Sequence, residues 1–228
     1  MQRQLTITMS AATVQGLQDE DYALYAFTAV HYGPRLTQAR AFGGGYPLVW
    51  LRQKGYLTNT VVRFDDALPS AYVSATALAE NAVIQVGDSY VSALGQTVLV
   101  DENGLLTGLT TGSPGTVSIL NTGQAAWTCG LSLPVNQATT PICAFPLHGG
   151  AIDMIAPTAT VLVMFAIDSI PLGSAVSTAY SNGLRVDFGS ETQRIVDFDI
   201  DMGWSANAAV WARTVPAGTD IGSLLITS

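Results

Sequence analysis

Apolar and polar residues alternate with a period of two through much of this chain, and glycine, proline and asparagine break the alternation at strand-length intervals. A side chain that repeats every second residue lies on one face of a β-strand, so the pattern demands sheets. Leu5, Ile7 and Met9 alternate with polar partners near the start. Residues 160–167, TVLVMFAI, run apolar without a break, as a central strand buried on both faces would. Asp101-Glu102-Asn103-Gly104 separates Val98 and Val100 from Leu105 and Leu106, and Asn-Gly between apolar runs predicts a hairpin. GTVSILNTGQAAWTCGLSL predicts a second hairpin turning at Asn121-Thr122-Gly123, and GLRVDFGSETQRIVDFDIDM a third. Only residues 10–20 offer a helix, capped by Ser10, with Val14 and Leu17 on one side. No linker or low-complexity tract interrupts residues 1–228, so the expectation is one all-β domain, an antiparallel β-sandwich.

Two stretches resemble each other. At an offset of 138, Leu24, Phe27, Ala41, Phe42, Gly45, Leu48 and Trp50 meet Leu162, Phe165, Ala179, Tyr180, Gly183, Val186 and Phe188. At an offset of 134, VVRFD (61–65) meets IVDFD (195–199). This spacing predicts an internal duplication, with copies 22–65 and 160–201, an elaboration at 80–157, and a pseudo-two-fold axis between two packed sheets. Phe27, Trp50, Phe64, Phe165, Phe188 and Phe198 would fill the shared core.

Charge is scarce and uneven. The chain carries 9 basic and 17 acidic residues, net −8, and only 11% charged residues, with 48% hydrophobic. That balance excludes a disordered chain and offers no basic face for nucleic acid. Residues 103–184 hold two charges, Asp153 and Asp168, where the chain-wide 11% would place about nine. Leu105, Leu106, Leu109, Ile119, Leu120 and Trp127 crowd the same tract. An uncharged surface has little to keep copies apart, so the expectation is a homo-oligomer whose contact includes part of 103–150.

Chemistry-bearing motifs are few. Asp19, Glu20 and Asp21 follow too soon after the N-terminal alternation for a secretory leader, which leads us to expect a cytoplasmic protein or one released without a signal peptide. Cys129 and Cys143 read as two buried thiols, with a single disulfide as the alternative. His31 and His148 lack a G-x-S-x-G elbow and metal-ligand spacing, and the expectation is no enzyme and no cofactor. Gly43-Gly44-Gly45 lacks the elements of a phosphate loop and reads as a turn. Asp197, Asp199 and Asp201 would leave one face of a strand, a weak metal candidate that departs from the calcium-loop pattern, with Arg185 across from Asp197 or Asp199. Lys54 is the single lysine, and Arg35, Arg40, Arg52 and Arg63 cluster near Tyr46, Trp50 and Tyr56.

Tyr46, Tyr56, Trp204 and the asparagine of the MGWSAN loop (Asn207, after Ala206) are the ligand candidates, exposed aromatic and amide groups of the kind that stack on and hydrogen-bond to sugars. The all-β, aromatic-rich character is similar to that of small cytoplasmic lectins and of β-rich cytolysins. The leading expectation is therefore a lectin-like recognition protein acting as a homo-oligomer on glycans. The alternatives are a membrane-active, toxin-like protein and a self-assembling structural or inclusion protein.

Overall fold

The computed structural model describes residues 2–33, 44–65, 69–167 and 169–228. Arg35, Arg40, Ala41, Phe42, Gly43 and Asp168, used in the sequence analysis above, lie outside them. In chain order the elements are β1 (Gln2–Thr8), α1 (Ala11–Asp19), β2 (Ala23–Tyr32), β3 (Tyr46–Pro47), β4 (Leu51–Gln53), β5 (Asn59–Asp65), β6 (Ser70–Ser74), β7 (Asp88–Val91), β8 (Gln96–Val100) and β9 (Leu106–Thr111). They continue with β10 (Val117–Asn121), β11 (Trp127–Val135), β12 (Ala138–Pro141), β13 (Cys143–Leu147), β14 (Ile152–Ala166), β15 (Gly183–Asp187), β16 (Gln193–Asp199), β17 (Gly203–Ser205), β18 (Ala212–Val215), α2 (Gly222–Leu225) and β19 (Ile226–Thr227). The chain is all-β, 54% strand against 6% helix.

Local chemistry sets the expected pieces. Ser10 caps α1, its side chain accepting from the Thr13 N–H, and Leu17 is buried beneath the helix. The Asp101–Gly104 turn joins β8 to β9: Asp101 Oδ1 accepts from the N–H groups of Asn103 and Leu105, and Gly104 takes φ 76°. β14 is buried along residues 160–166.

Two curled sheets hold these strands, one running β17-β16-β1-β5-β11-β13-β3 along its main path, the other β18-β15-β14-β10-β8-β9. They are mixed, not antiparallel as expected, because β1–β16, β8–β10 and β2–β19 pair in parallel. The second and third hairpins are also corrected. β10 and β11 belong to different sheets, as do β15 and β16, so each segment crosses from one sheet to the other. At the first crossing the buried Asn121 holds the turn: its Nδ2 donates to the carbonyls of Ala125 and His148, and its Oδ1 accepts from the Gly123 N–H. A sheet-switching turn and a hairpin turn share the same Asn/Gly chemistry, and the sequence does not separate them.

Both sheets contribute to one core, in which Leu5, Ile7 and Val62 meet Leu24, Ala26, Val161 and Phe165. The opposite face of β2 and β14 is covered by residues 170–179 and the C-terminal segment, through Val176, Val215, Ile221 and Leu225. Double coverage is why β2 and β14 lack polar alternation. Trp50, wholly buried, donates from Nε1 to the Leu133 carbonyl at 3.2 Å and meets Phe64 edge-on at 5.3 Å, and Phe64 meets Phe188 at 5.1 Å. Phe198 is half-buried rather than core.

The duplicated positions are placed as follows. Leu24 lies opposite Phe165 and Phe27 opposite Leu162 across β2 and β14. β5 and β16 flank β1, with Val61 and Ile195 both opposite Thr6. Leu24 pairs with Gln53 and Leu162 with Arg185, a spacing of 132 between partners instead of the expected 138.

Candidate functional site

The sequence-chosen ligand residues do not converge. Tyr46 is half-buried on β3, pairing with Ala144 at one end of the first sheet, while Trp204 on β17 is at the other end. Tyr56 is corrected to a core residue: it is 2% exposed, donates to the Tyr22 carbonyl at 2.9 Å and meets Phe165 at 5.4 Å. Burial, then the nearby Asp21 carboxylate, pushes its phenol up to about 12. Trp204 is corrected likewise, stacked on Phe165 with its indole N–H on the Asn182 carbonyl at 3.0 Å. Both aromatics satisfy their polar tip on a backbone carbonyl, which allows them inside. Asn207 is exposed at φ 52°, in a loop beside a groove of about 380 Å³ lined by Trp204, Ala206, Ala208 and Arg213. Trp211 carries the Arg194 guanidinium 4.6 Å from its ring centroid.

The acidic run is spent on local structure. Asp199 Oδ1 accepts from the N–H groups of Asp201 and Met202 at 3.0 Å, and Oδ2 from Thr13 Oγ1. These bonds, the Met202 amide first, hold its carboxyl below the usual range. Asp201 lies in the turn beyond β16, not on the strand face with Asp197. Arg185 sits in the other sheet, opposite Leu162 and Arg213, so it does not face Asp197 or Asp199. Among the described residues no group of three or more His, Cys, Asp or Glu is gathered as a metal site.

One titratable cluster escaped the sequence reading. Asp153, 4% exposed, accepts from Tyr32 Oη at 2.5 Å and from Cys129 Sγ at 3.3 Å. Burial raises the Asp153 carboxyl, and the Tyr32 and Cys129 hydrogen bonds oppose it. Burial also raises the phenol of Tyr32 and the thiol of Cys129, and it pushes Cys143 up to about 12. A nucleophilic cysteine needs the opposite shift, so this cluster locks β2, β11 and β14 together. Both cysteines are free and buried, as the first of the two sequence readings has it. His31 binds Thr227 Oγ1 through Nδ1 at 2.6 Å, and His148 is exposed. Asp153 signals itself in the sequence as a lone charge inside an apolar run.

A polar groove of about 470 Å³ opens where β1, β4, β5 and the β11–β12 turn meet. Val61, Phe64, Pro134 and Val135 supply its apolar part, and Gln2, Gln53, Arg63, Asp65, Asn136 and Gln137 its polar part. Asn136 is fixed from both sides: its N–H donates to the Arg63 carbonyl, its Oδ1 accepts from the Arg63 N–H, and its Nδ2 reaches Gln53 Oε1 at 3.4 Å. Asn136 and Gln137 form a two-residue hairpin turn with φ 42° and 74°. Such a turn needs positive φ at both positions and favours Asn-Gly. Gln137 therefore stands where glycine would relieve about 1 kcal/mol of strain, and it places a long amide at the groove. Comparison with known families, curated proteins and solved structures finds no match for this chain.

Proposed function

We propose that the chain is a lectin-like recognition protein, and that the groove around Arg63, Asp65, Asn136 and Gln137 takes a neutral, hydroxyl-rich ligand of the saccharide class. The observation that carries this reading is the strained Gln137, held beside a pre-oriented Asn136. Strain of this kind persists where a side chain is needed in place. A sugar presents adjacent hydroxyls, each both donor and acceptor. The planar amides of Gln2, Gln53 and Gln137, the guanidinium of Arg63 and the carboxylate of Asp65 supply matching donors and acceptors. Val61 and Pro134, both partly exposed, offer an apolar contact for the C–H face of the ring. The groove replaces Tyr46, Tyr56, Trp204 and Asn207 as the ligand site.

We further propose that the two sheets form a β-sandwich made by duplication of residues 22–65 and 160–201. Support comes from register. Exchanging the copies at an offset of 138 maps the Leu24–Phe165 pair onto Leu162–Phe27, and an offset of 134 exchanges Val61 and Ile195 across Thr6. A single axis passing between β2 and β14 and through β1 accounts for both.

The functional reading is tested by a glycan array followed by calorimetry, comparing the wild-type chain with Arg63→Ala and Gln137→Gly. Saccharide binding that both variants lose while keeping their fold supports it. No saccharide bound, or binding indifferent to both changes, overturns it. Dye release from liposomes without any sugar binding would favour the membrane-active alternative.

A further inference from the structure

We infer that β9 is the contact through which two copies of this chain pair edge to edge, extending one sheet into the other. β9 is a terminal strand of its sheet, paired with β8, and β7 meets its outer side at the Leu106 end. Gly112 donates to the Gly95 carbonyl, which makes Gln96 and Thr111 a wide pair of the antiparallel ladder. Alternation then makes Thr97–Thr110 a hydrogen-bonded pair and Val98–Leu109 a wide one. Leu109 and Thr111 therefore turn their N–H and C=O groups away from β8. No hydrogen bond among the described residues takes them up.

An open edge is a template for another strand, and proteins blunt it with charge, proline or a bulge. The regular stretch of β9, Gly108 to Thr111, has no charge and no proline, and its bulge, Thr107, lies at the Leu106 end. The opposite end of the same sheet, β18, carries Arg213. Around β9 the apolar side chains of Tyr90, Val91, Leu94, Leu105 and Leu109 are exposed by 36% or more. Asp88, the nearest carboxylate on β7, is already bound to the Leu106 N–H at 2.8 Å.

A second copy is the occupant that fits. The chain has net charge −8, so identical copies repel except where charge is missing, and residues 103–152 carry none. An antiparallel pair centred on Leu109 is self-complementary: Leu109 exchanges two hydrogen bonds with its own counterpart, and Gly108 lies opposite Thr110. This interface is separate from the groove and stands or falls without it.

Sedimentation velocity at micromolar concentration in plain buffer tests it, on the wild-type chain and on three variants. Leu109→Pro removes the outward N–H without touching the β8 ladder, and Thr111→Lys places a charge on the edge. Thr139→Lys adds the same charge on β12, within the uncharged tract but away from the edge. The expected result is a wild-type dimer of twice 23.9 kDa. Leu109→Pro and Thr111→Lys should return the mass to that of one chain, and Thr139→Lys should leave the dimer intact. Circular dichroism melts report folding; if Leu109→Pro unfolds, Thr111→Lys decides. A wild-type monomer, a dimer that survives both edge changes, a dimer lost equally in Thr139→Lys, or association only with lipid vesicles would overturn the inference.

Discussion

Trp50→Phe probes whether the indole that bridges the two sheets is held by its hydrogen bond as well as by packing. Trp50 is wholly buried, and its Nε1–H is the partner of the Leu133 carbonyl, which belongs to the opposite sheet. Phenylalanine keeps most of the apolar volume. It forfeits roughly 40 Å² of buried surface, worth about 1 kcal/mol at 25 cal/mol per Å². It also removes the second donor to the Leu133 carbonyl, which keeps the Thr140 N–H of the β11–β12 ladder, at about 0.5–1.5 kcal/mol. The sum is about 1.5–2.5 kcal/mol. Trp50→Ala adds a cavity beside Phe64 and should cost about 3–5 kcal/mol or more. Urea denaturation measures both. A loss under about 1 kcal/mol for Trp50→Phe, with an unchanged denaturant slope, would refute the bridging hydrogen bond.

Other outcomes follow from the same structure. The folded Asp153 carboxyl is raised, so its contribution to stability is fully present below the ordinary carboxylate range and is lost as pH rises through the elevated value. Thermal melts across mildly acidic pH should show that decline in the wild type and lack it in Asp153→Asn. Gly130→Ala would place a Cβ within 1.9 Å of the Cys143 carbonyl oxygen, so it should cost about 4 kcal/mol or abolish folding, read by the same urea melts. Cys129 and Cys143, buried with raised thiols, should react with a thiol reagent only at the rate of unfolding; fast labelling of the native chain would contradict their placement.

The elements set by local chemistry were legible from the residues. Ser10 marked the start of α1, Asp101–Gly104 marked the β8–β9 hairpin, and the unbroken 160–167 run marked a strand covered on both faces. Partner choice was not legible. Period-two alternation tells which face of a strand is buried, yet says nothing of the sheet to which the next strand belongs. That is why Asn121–Gly123 and residues 188–192 read as hairpins although they cross between sheets. Tyr56 and Trp204 were misplaced because an amphipathic aromatic goes inside whenever a carbonyl meets its polar tip, and that carbonyl is fixed by the fold. The groove was missed because residues 2, 53, 61–65 and 134–137 meet there only through β1–β5 pairing and the β11–β12 turn. Its one sequence signal was Asn-Gln at a two-residue turn where Asn-Gly is the easier choice.

Gln137→Gly tests the central claim most directly, because strain and recognition make opposite demands on this residue. The measurement is a paired one on wild type and variant: a urea melt and a calorimetric titration with the best saccharide found on the array. The account predicts that the variant is more stable by about 0.5–1 kcal/mol, since glycine adopts the positive φ of that position freely, and that it no longer binds the sugar. A variant that binds as tightly as the wild type, or a wild-type chain that binds no saccharide, would contradict the groove as the recognition site.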